Sequence, residues 1–382
     1  MTGLDPAERR LIRESVRDAV EHLASAAHTR QLVDGESDDV RGVWRKLNTT
    51  LGLTAIPVPE EFGGAGAGWA PAGIALEELG RTLYPVPYLS SCLAIRLLLR
   101  ADTPAARELL SGIAGGDVVP AVVLGSAGDG PARGAGPGMT ATDGDTWTVS
   151  GQVDDVLDAA DADVLLVAAD GPDGPIVLAV DAATASVRPR PTLDLTRPVH
   201  SVSLDRAPGV PVTAVPAGAL LADVAAFAAA ALATEAVGGA GRCLDLTVAH
   251  VGERRQFGVP IGSFQAVKHA CADLFRELEP ARSAAYGAME AADDDAEQLV
   301  QAAALAKVVT DRMYARVSLE SVQLHGAMGF TWEMGLHLHV KRAVCNRVMF
   351  GEAPWHRAVL ARTVAALANR SRVPAEVSGG AA

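Results

Sequence analysis

Hydrophobic positions recur at helical spacing through the first hundred residues. In DPAERRLIRESVRDAVEHL, residues Leu11, Ile12, Val16, Ala19, Val20 and Leu23 fall three and four apart, the pattern of an amphipathic helix with one buried face. Asp5-Pro6 suits an N-cap followed by a first-turn proline. The segment IPVPEEFGGAGAG, residues 56–68, interrupts the pattern with two prolines and a glycine cluster before a second helical run, IALEELGRTL. Gly66-Ala67-Gly68 has no strand ahead of it, which argues against a dinucleotide-binding fingerprint.

From about Val118 to Val212 the period shortens. VVPAVVLG, TWTVSGQV, ADVLLVAA, PIVLAVDA and HSVSLD are short runs rich in Val, Leu, Ile and Thr, separated by Gly, Asp and Pro. They read as strands of a small barrel or sandwich. GSAGDGPARGAGPG, residues 125–138, has a linker's composition, with a glycine-rich phosphate cradle as the alternative. After Val215 helical spacing returns in three long segments, the first strongly alanine-rich. Small residues let neighbouring helices approach closely, so a bundle is expected. The boundaries expected are 1–115 for an N-terminal helical domain, 116–215 for a β domain, 216–370 for a helical bundle and 371–382 for a disordered tail.

Composition narrows the field of activities. The 382-residue chain carries 46 acidic against 33 Lys and Arg residues, a formal charge of −13. That balance repels a phosphate backbone and argues against nucleic-acid binding. Cys92, Cys243, Cys271 and Cys345 are widely spaced, so neither a disulfide framework nor a zinc site is expected. The N-terminus has acids throughout and no apolar h-region, and the apolar stretch from Val224 to Ala233 is too short to span a bilayer. A cytoplasmic protein without membrane association follows as the expectation.

Two clusters carry candidate chemistry. In Glu253-Arg254-Arg255-Gln256-Phe257-Gly258-Val259-Pro260-Ile261 a helix must stop at Gly258 and Pro260. Paired arginines at its end suit an anion, with surface charges or an inter-subunit salt bridge as the alternative. In Gln323-Leu324-His325-Gly326-Ala327-Met328-Gly329-Phe330-Thr331 glycines allow close backbone approach to a phosphate or ring edge, or cap a helix. His337 and His339 alternate as two metal ligands on a strand would, but no carboxylate pair stands nearby, and no metal is expected.

Taken together and in this order, RRQFGVPIGSFQAVKHACAD and QLHGAMGFTWE resemble the acyl-CoA dehydrogenase family, and VPEEFGGAG in the N-terminal part extends the resemblance. The family's fold class is α+β: an N-terminal helical domain, a small central β-barrel domain and a C-terminal four-helix bundle. The resemblance implies FAD as cofactor, with Arg254 and Gln256 on the FAD diphosphate of a neighbouring subunit, Phe257 against the adenosine part, and Gln323, Gly326 and the Ala327 backbone receiving the same region of another FAD across the dimer interface. Ala327 stands where the family has a second glycine. The implied reaction is α,β-desaturation of an acyl-CoA by a carboxylate base and a hydride-accepting flavin. Electron-transfer flavoprotein or another acceptor would then take the electrons.

The resemblance also exposes departures. The usual glutamate base falls at Gly351 or Phe350, with Glu352 next door on a loop. Glu352 also suits the first turn of the helix APWHRAVLARTVAAL. Glu235, interrupting the apolar first long helix, is the other candidate base, about two turns from the place some members use. Val153 replaces a lysine in the middle domain, and neither the tryptophan nor the threonine of the flavin platform follows it. The chain therefore reads either as an active homodimeric or homotetrameric dehydrogenase, as a catalytically incomplete partner in a hetero-oligomer, or as a related flavin oxidase or monooxygenase.

Overall fold

The structure is a computed structural model that describes residues 5–37, 39–124, 138–294 and 296–370. The linker expected at 125–138 lies almost wholly outside the described residues, and the tail expected at 371–382 lies wholly outside them. Six helices come first: α1 (Pro6–Leu23), α2 (Ala26–Val33), α3 (Val40–Leu51), α4 (Trp69–Thr82), α5 (Tyr88–Ala101) and α6 (Pro104–Ala114). At the start of α1 Asp5 accepts from the Ala7 and Glu8 amides while the Glu8 side chain accepts from the Asp5 amide, a reciprocal cap with Pro6 in the first turn.

Seven strands follow: β1 (Pro120–Val123), β2 (Met139–Thr142), β3 (Thr148–Leu157), β4 (Val164–Gly171), β5 (Gly174–Asp181), β6 (Ser186–Pro189) and β7 (Val199–Pro211). Neighbours run β4-β2-β3-β7-β5, and β5 returns to pair antiparallel with β4, closing the sheet into a barrel. β1 lies parallel on β4, and β6 pairs with β7. Closure removes the edges that would otherwise be open to pairing. The interior is filled by Val149, Leu165, Val167, Leu178 and Val202, all fully buried.

The C-terminal region contains α7 (Gly218–Glu253), a short hairpin of β8 (Arg255–Gln256) and β9 (Val259–Pro260), then α8 (Gln265–Asp294), α9 (Ala296–His325), α10 (Leu336–Asn346) and α11 (Ala353–Arg370). α7 is long and apolar enough to cross a membrane, yet 83% of its apolar window is buried inside the protein. It is the central helix of the core, contacting α4, α5, α8 and α9. Alanine and glycine on several faces make this possible. A Cβ on Gly80 of α4 would collide with the Glu235 carbonyl of α7, and one on Gly238 with the Glu77 carbonyl. The two backbones therefore touch, and that crossing fixes where Glu235 sits. Arg96 of α5 locks the same region by donating to both Asp223 carboxylate oxygens, at 2.7 and 2.8 Å, and to the Ala292 carbonyl at 2.5 Å.

Two local expectations are corrected. α7 ends at Glu253 rather than running to Gly258, because Phe257 and Gly258 both take positive φ, 52° and 81°, and turn the chain back as a hairpin. His337 and His339 lie on helix α10, not on a strand, so an i, i+2 spacing turns them apart. His339 packs beside Tyr314 and His337 beside Trp332. Among the described residues no group of three or more His, Cys, Asp or Glu side chains converges as a metal site.

Candidate active site

A cleft opens where all three parts of the molecule meet. Its walls are Leu76 and Leu79 of α4, Tyr88 of α5, Leu157 and Asp158 at the end of β3, Thr196 and Arg197 in the loop before β7, Glu235 of α7 and Arg342 of α10. The β3 strand carries the segment that corresponds to the family's flavin platform, so this is the interior in which a ring and acyl chain would be sought.

That interior is filled by charge. Arg342, only 4% exposed, donates Nη2 to the Thr196 carbonyl and hydroxyl, both at 2.8 Å, Nε to Asp194 and Nη1 to Glu235. Arg197 donates to the same Glu235 oxygen, Oε1. Asp194 in turn accepts from the Thr196 amide at 3.0 Å and from its hydroxyl at 2.5 Å. Two guanidinium groups thus face two carboxylates, and the cluster is neutral without any ligand. Burial opposes charge on Asp194, but Arg342 and Arg197, with the Thr196 hydrogen bonds, hold its carboxyl below the usual range. Burial likewise opposes charge on Arg342, and Asp194 and Glu235 outweigh it. About 40 Å³ of free interior remains, room for a few water molecules at most.

Behind the cluster, His339 accepts or donates at Nδ1 with the Tyr314 hydroxyl, 2.9 Å away. Burial, reinforced by Arg342, lowers this imidazole to about 3, so it is neutral. On the opposite wall burial raises the Asp158 carboxyl to about 7, against the Ser90 hydrogen bond and the Arg197 charge that favour ionisation. The Tyr88 hydroxyl is buried and, apart from the Cys92 thiol beside it, finds no hydrogen-bond partner among the described residues.

Glu352 is elsewhere. Its side chain is exposed, and its carbonyl accepts from the Trp355 amide at 3.0 Å in the first turn of α11; it does not line the cleft. Phe350 and Gly351 before it both take positive φ, 53° and 96°, and the buried His356 donates Nε2 to the Phe350 carbonyl at 3.0 Å. That turn aims the next side chain outward. Of the two candidate bases, Glu235 is the one that reaches the cleft, across from Asp158, and both of its ion pairs use one oxygen.

The cofactor candidates lie at one end of the helical region. Arg254, Gln256 and Phe257 are exposed, the phenyl ring at 93%. Gln323, Gly326 and Ala327 are exposed at the end of α9. His250, one turn before Arg254, stacks on His325, immediately before Gly326, with ring centroids 4.3 Å apart. The two motifs therefore adjoin in one chain through this ring pair. Arginine forks and exposed backbone fit a diphosphate. The ion-filled cleft does not fit a three-ring flavin in this chain. Sequence inspection missed Asp158, Asp194, Arg197 and Arg342, because no local motif marks them.

Comparison with known proteins agrees with this architecture. The family signature described as acyl-CoA dehydrogenase, N-terminal domain, matches residues 6–117, and that described as acyl-CoA dehydrogenase, C-terminal domain, matches residues 222–365. Acyl-CoA dehydrogenase IpdE2 of Mycolicibacterium smegmatis is 36% identical over 345 residues, covering 90% of this chain and 94% of that protein. Among solved structures, a single-substitution variant of the Tcur3481-Tcur3483 steroid ACAD matches with TM-score 0.83 and 30% identity, covering 95% of this chain and 99% of that one. The ChsE4-ChsE5 complex from Mycobacterium tuberculosis matches with TM-score 0.81 and 26% identity over 98% of this chain and 100% of that one. The chain belongs to the acyl-CoA dehydrogenase family, flavin-dependent oxidoreductases that desaturate acyl-CoA thioesters between the α and β carbons.

Proposed function

We propose that this chain is the FAD-sharing subunit of a hetero-oligomeric acyl-CoA dehydrogenase. Its exposed motif face holds the diphosphate of an FAD whose ring lies in a second, related chain that also supplies the base. The observation that carries this reading is the neutral Asp194–Arg197–Glu235–Arg342 cluster, which fills the chain's own cleft. A general base must be able to reach the proton it removes. Glu235 is instead pinned by two arginines, and Glu352 points to solvent.

On this reading Arg254 and Gln256 donate to the diphosphate, the Gly326–Ala327 backbone lies against it, and Phe257 covers the adenosine side. FAD bound there would accept the β-hydride of an acyl-CoA and pass electrons to an acceptor of the electron-transfer flavoprotein kind. The exposed Phe257 and Phe330 rings, 93% and 75% accessible, are then buried by the second chain, as aromatic anchors at interfaces commonly are. Two structural relatives bear paired chain names, which supports an assembly of two different chains, and one is a steroid ACAD, which places steroid-type thioesters first among the substrates to try.

The test is to purify the chain alone and together with a co-expressed dehydrogenase-type chain from its own host. The expected result is little flavin and no desaturation alone, and in the complex one FAD per pair of chains with activity on acyl-CoA thioesters. A homo-oligomer carrying one flavin per chain and reducing it with acyl-CoA overturns the proposal and returns the chain to the self-sufficient dehydrogenases.

A further inference from the structure

The stacked His250–His325 pair is unexplained by packing alone. The ring planes lie 20° apart at 4.3 Å. His325 donates Nδ1 to the Ser321 carbonyl at 2.7 Å, while its Nε2 is buried with no partner among the described residues, in a residue only 5% exposed. An unpaired ring nitrogen in such a place is costly. It sits at the joint between the two exposed motifs.

The groups that face His250 are His325 from α9, Glu253 at the end of its own helix and Arg254 just past it. Burial first, then His325 and Arg254, lower the His250 imidazole below its usual range, with Glu253 opposing. Two cationic imidazoles stacked face to face beside the Arg254 guanidinium would repel one another, and Glu253 only partly offsets this, so charge on His250 is disfavoured. A diphosphate on Arg254 reverses that balance.

We propose that His250 and His325 form a proton-linked clamp for the cofactor face: the stack fixes the ends of α7 and α9 relative to each other, and the pair takes up a proton when an FAD diphosphate docks beside Arg254. This rests on the reading that the face binds that diphosphate. The sign follows from linkage. Binding raises the affinity of the pair for a proton, so the extra affinity is present at low pH and is lost as pH rises through the bound-state value. These are positioning residues, acting through Arg254 and the α9 terminus rather than on the reacting atoms.

The experiment titrates the full chain, and its complex if one forms, with FAD by flavin anisotropy and by calorimetry in buffers of different ionisation enthalpy. The FAD diphosphate is esterified at both ends and does not titrate near neutrality, so any proton uptake belongs to the protein. Affinity is expected to be about threefold or more tighter at about pH 6 than at about pH 8, with net uptake of protons. Riboflavin, which lacks the diphosphate, should show no such slope. In His250→Phe, which keeps a ring for stacking, the slope and the uptake should flatten while circular dichroism stays unchanged. FAD binding that is equally tight at both pH values, or a His250→Phe protein that keeps the full slope, overturns the clamp and leaves the diphosphate face standing. FAD binding to neither preparation at any pH overturns the face itself and the clamp with it.

Discussion

Glu235 on α7 and Arg342 on α10 meet through Oε1 and Nη1 although 107 positions separate them. Arg197 reaches the same oxygen from a loop of the β domain, so one carboxylate ties the β domain to two helices of the C-terminal region. Its role as a structural tie and its availability as a base are mutually exclusive, which makes it the most informative position to change.

Arg342→Leu leaves Asp194 without its guanidinium partner and Glu235 with only Arg197. Removing one partner of a buried pair costs about 3–5 kcal/mol, and urea unfolding followed by circular dichroism should show a loss of that size. Glu235→Gln keeps hydrogen-bonding capacity and should cost less. In the assembled enzyme Glu235→Gln should retain desaturation within a few-fold; a loss of several orders of magnitude would identify Glu235 as the base.

Asp158 should make stability fall with pH. Its folded carboxyl titrates at about 7 against an ordinary value of 3.8, so the folded state holds its proton where the unfolded chain has released it. The contribution is fully present below about pH 4 and is lost as pH rises to about 7, beyond which a buried charge remains. Asp158→Asn can still accept from Ser90. It should therefore raise the melting temperature at about pH 8 by a few degrees and leave it little changed at about pH 4. A lower melting temperature for the variant at alkaline pH would contradict the assignment.

Glu352→Gln tests the other carboxylate. At an exposed position just before α11, it interacts with the helix dipole and with the Lys307 charge, and its contribution to stability should be about 1 kcal/mol or less. Activity of the assembled enzyme is expected to be unchanged by steady-state assay, and a thousandfold drop would restore Glu352 as the base.

Arg254→Ala removes a fork from an exposed position. The fold should be intact by thermal melting, while the dissociation constant for FAD rises about tenfold to a hundredfold, the loss of one charge-assisted pair. Unaltered flavin retention would move the diphosphate away from this face.

The parts legible in the sequence are those whose physics is local. The Asp5 cap, the shift to short strands after Val118 and the return of helical spacing after Val215 all follow from side chains within a few residues of one another. The two motif clusters also stay compact, because their arginines, glycines and aromatics are adjacent in sequence and remain so in the turn between β8 and β9 and at the end of α9. What failed locally was the end of α7, where Phe257 takes a left-handed conformation that hairpin geometry, not its own preference, imposes.

By itself, then, the sequence determined the helix, strand, helix order, the two local motif clusters and the missing carboxylate at Phe350–Gly351. Tertiary structure alone decided what takes the place of a ligand in the cleft. Asp194 and Arg197 come from the loop before β7, Glu235 from α7 and Arg342 from α10, with Asp194 and Arg342 separated by 148 positions; Glu235 stands out in its apolar helix, but the other three each read alone as a surface charge. Only when the Gly80 and Gly238 crossing brings α4 onto α7, and α10 and the β-domain loop close over them, do these charges lose water together. Once buried, each is stable only through the others, which is why the cluster is invisible in any one segment and unavoidable in the fold.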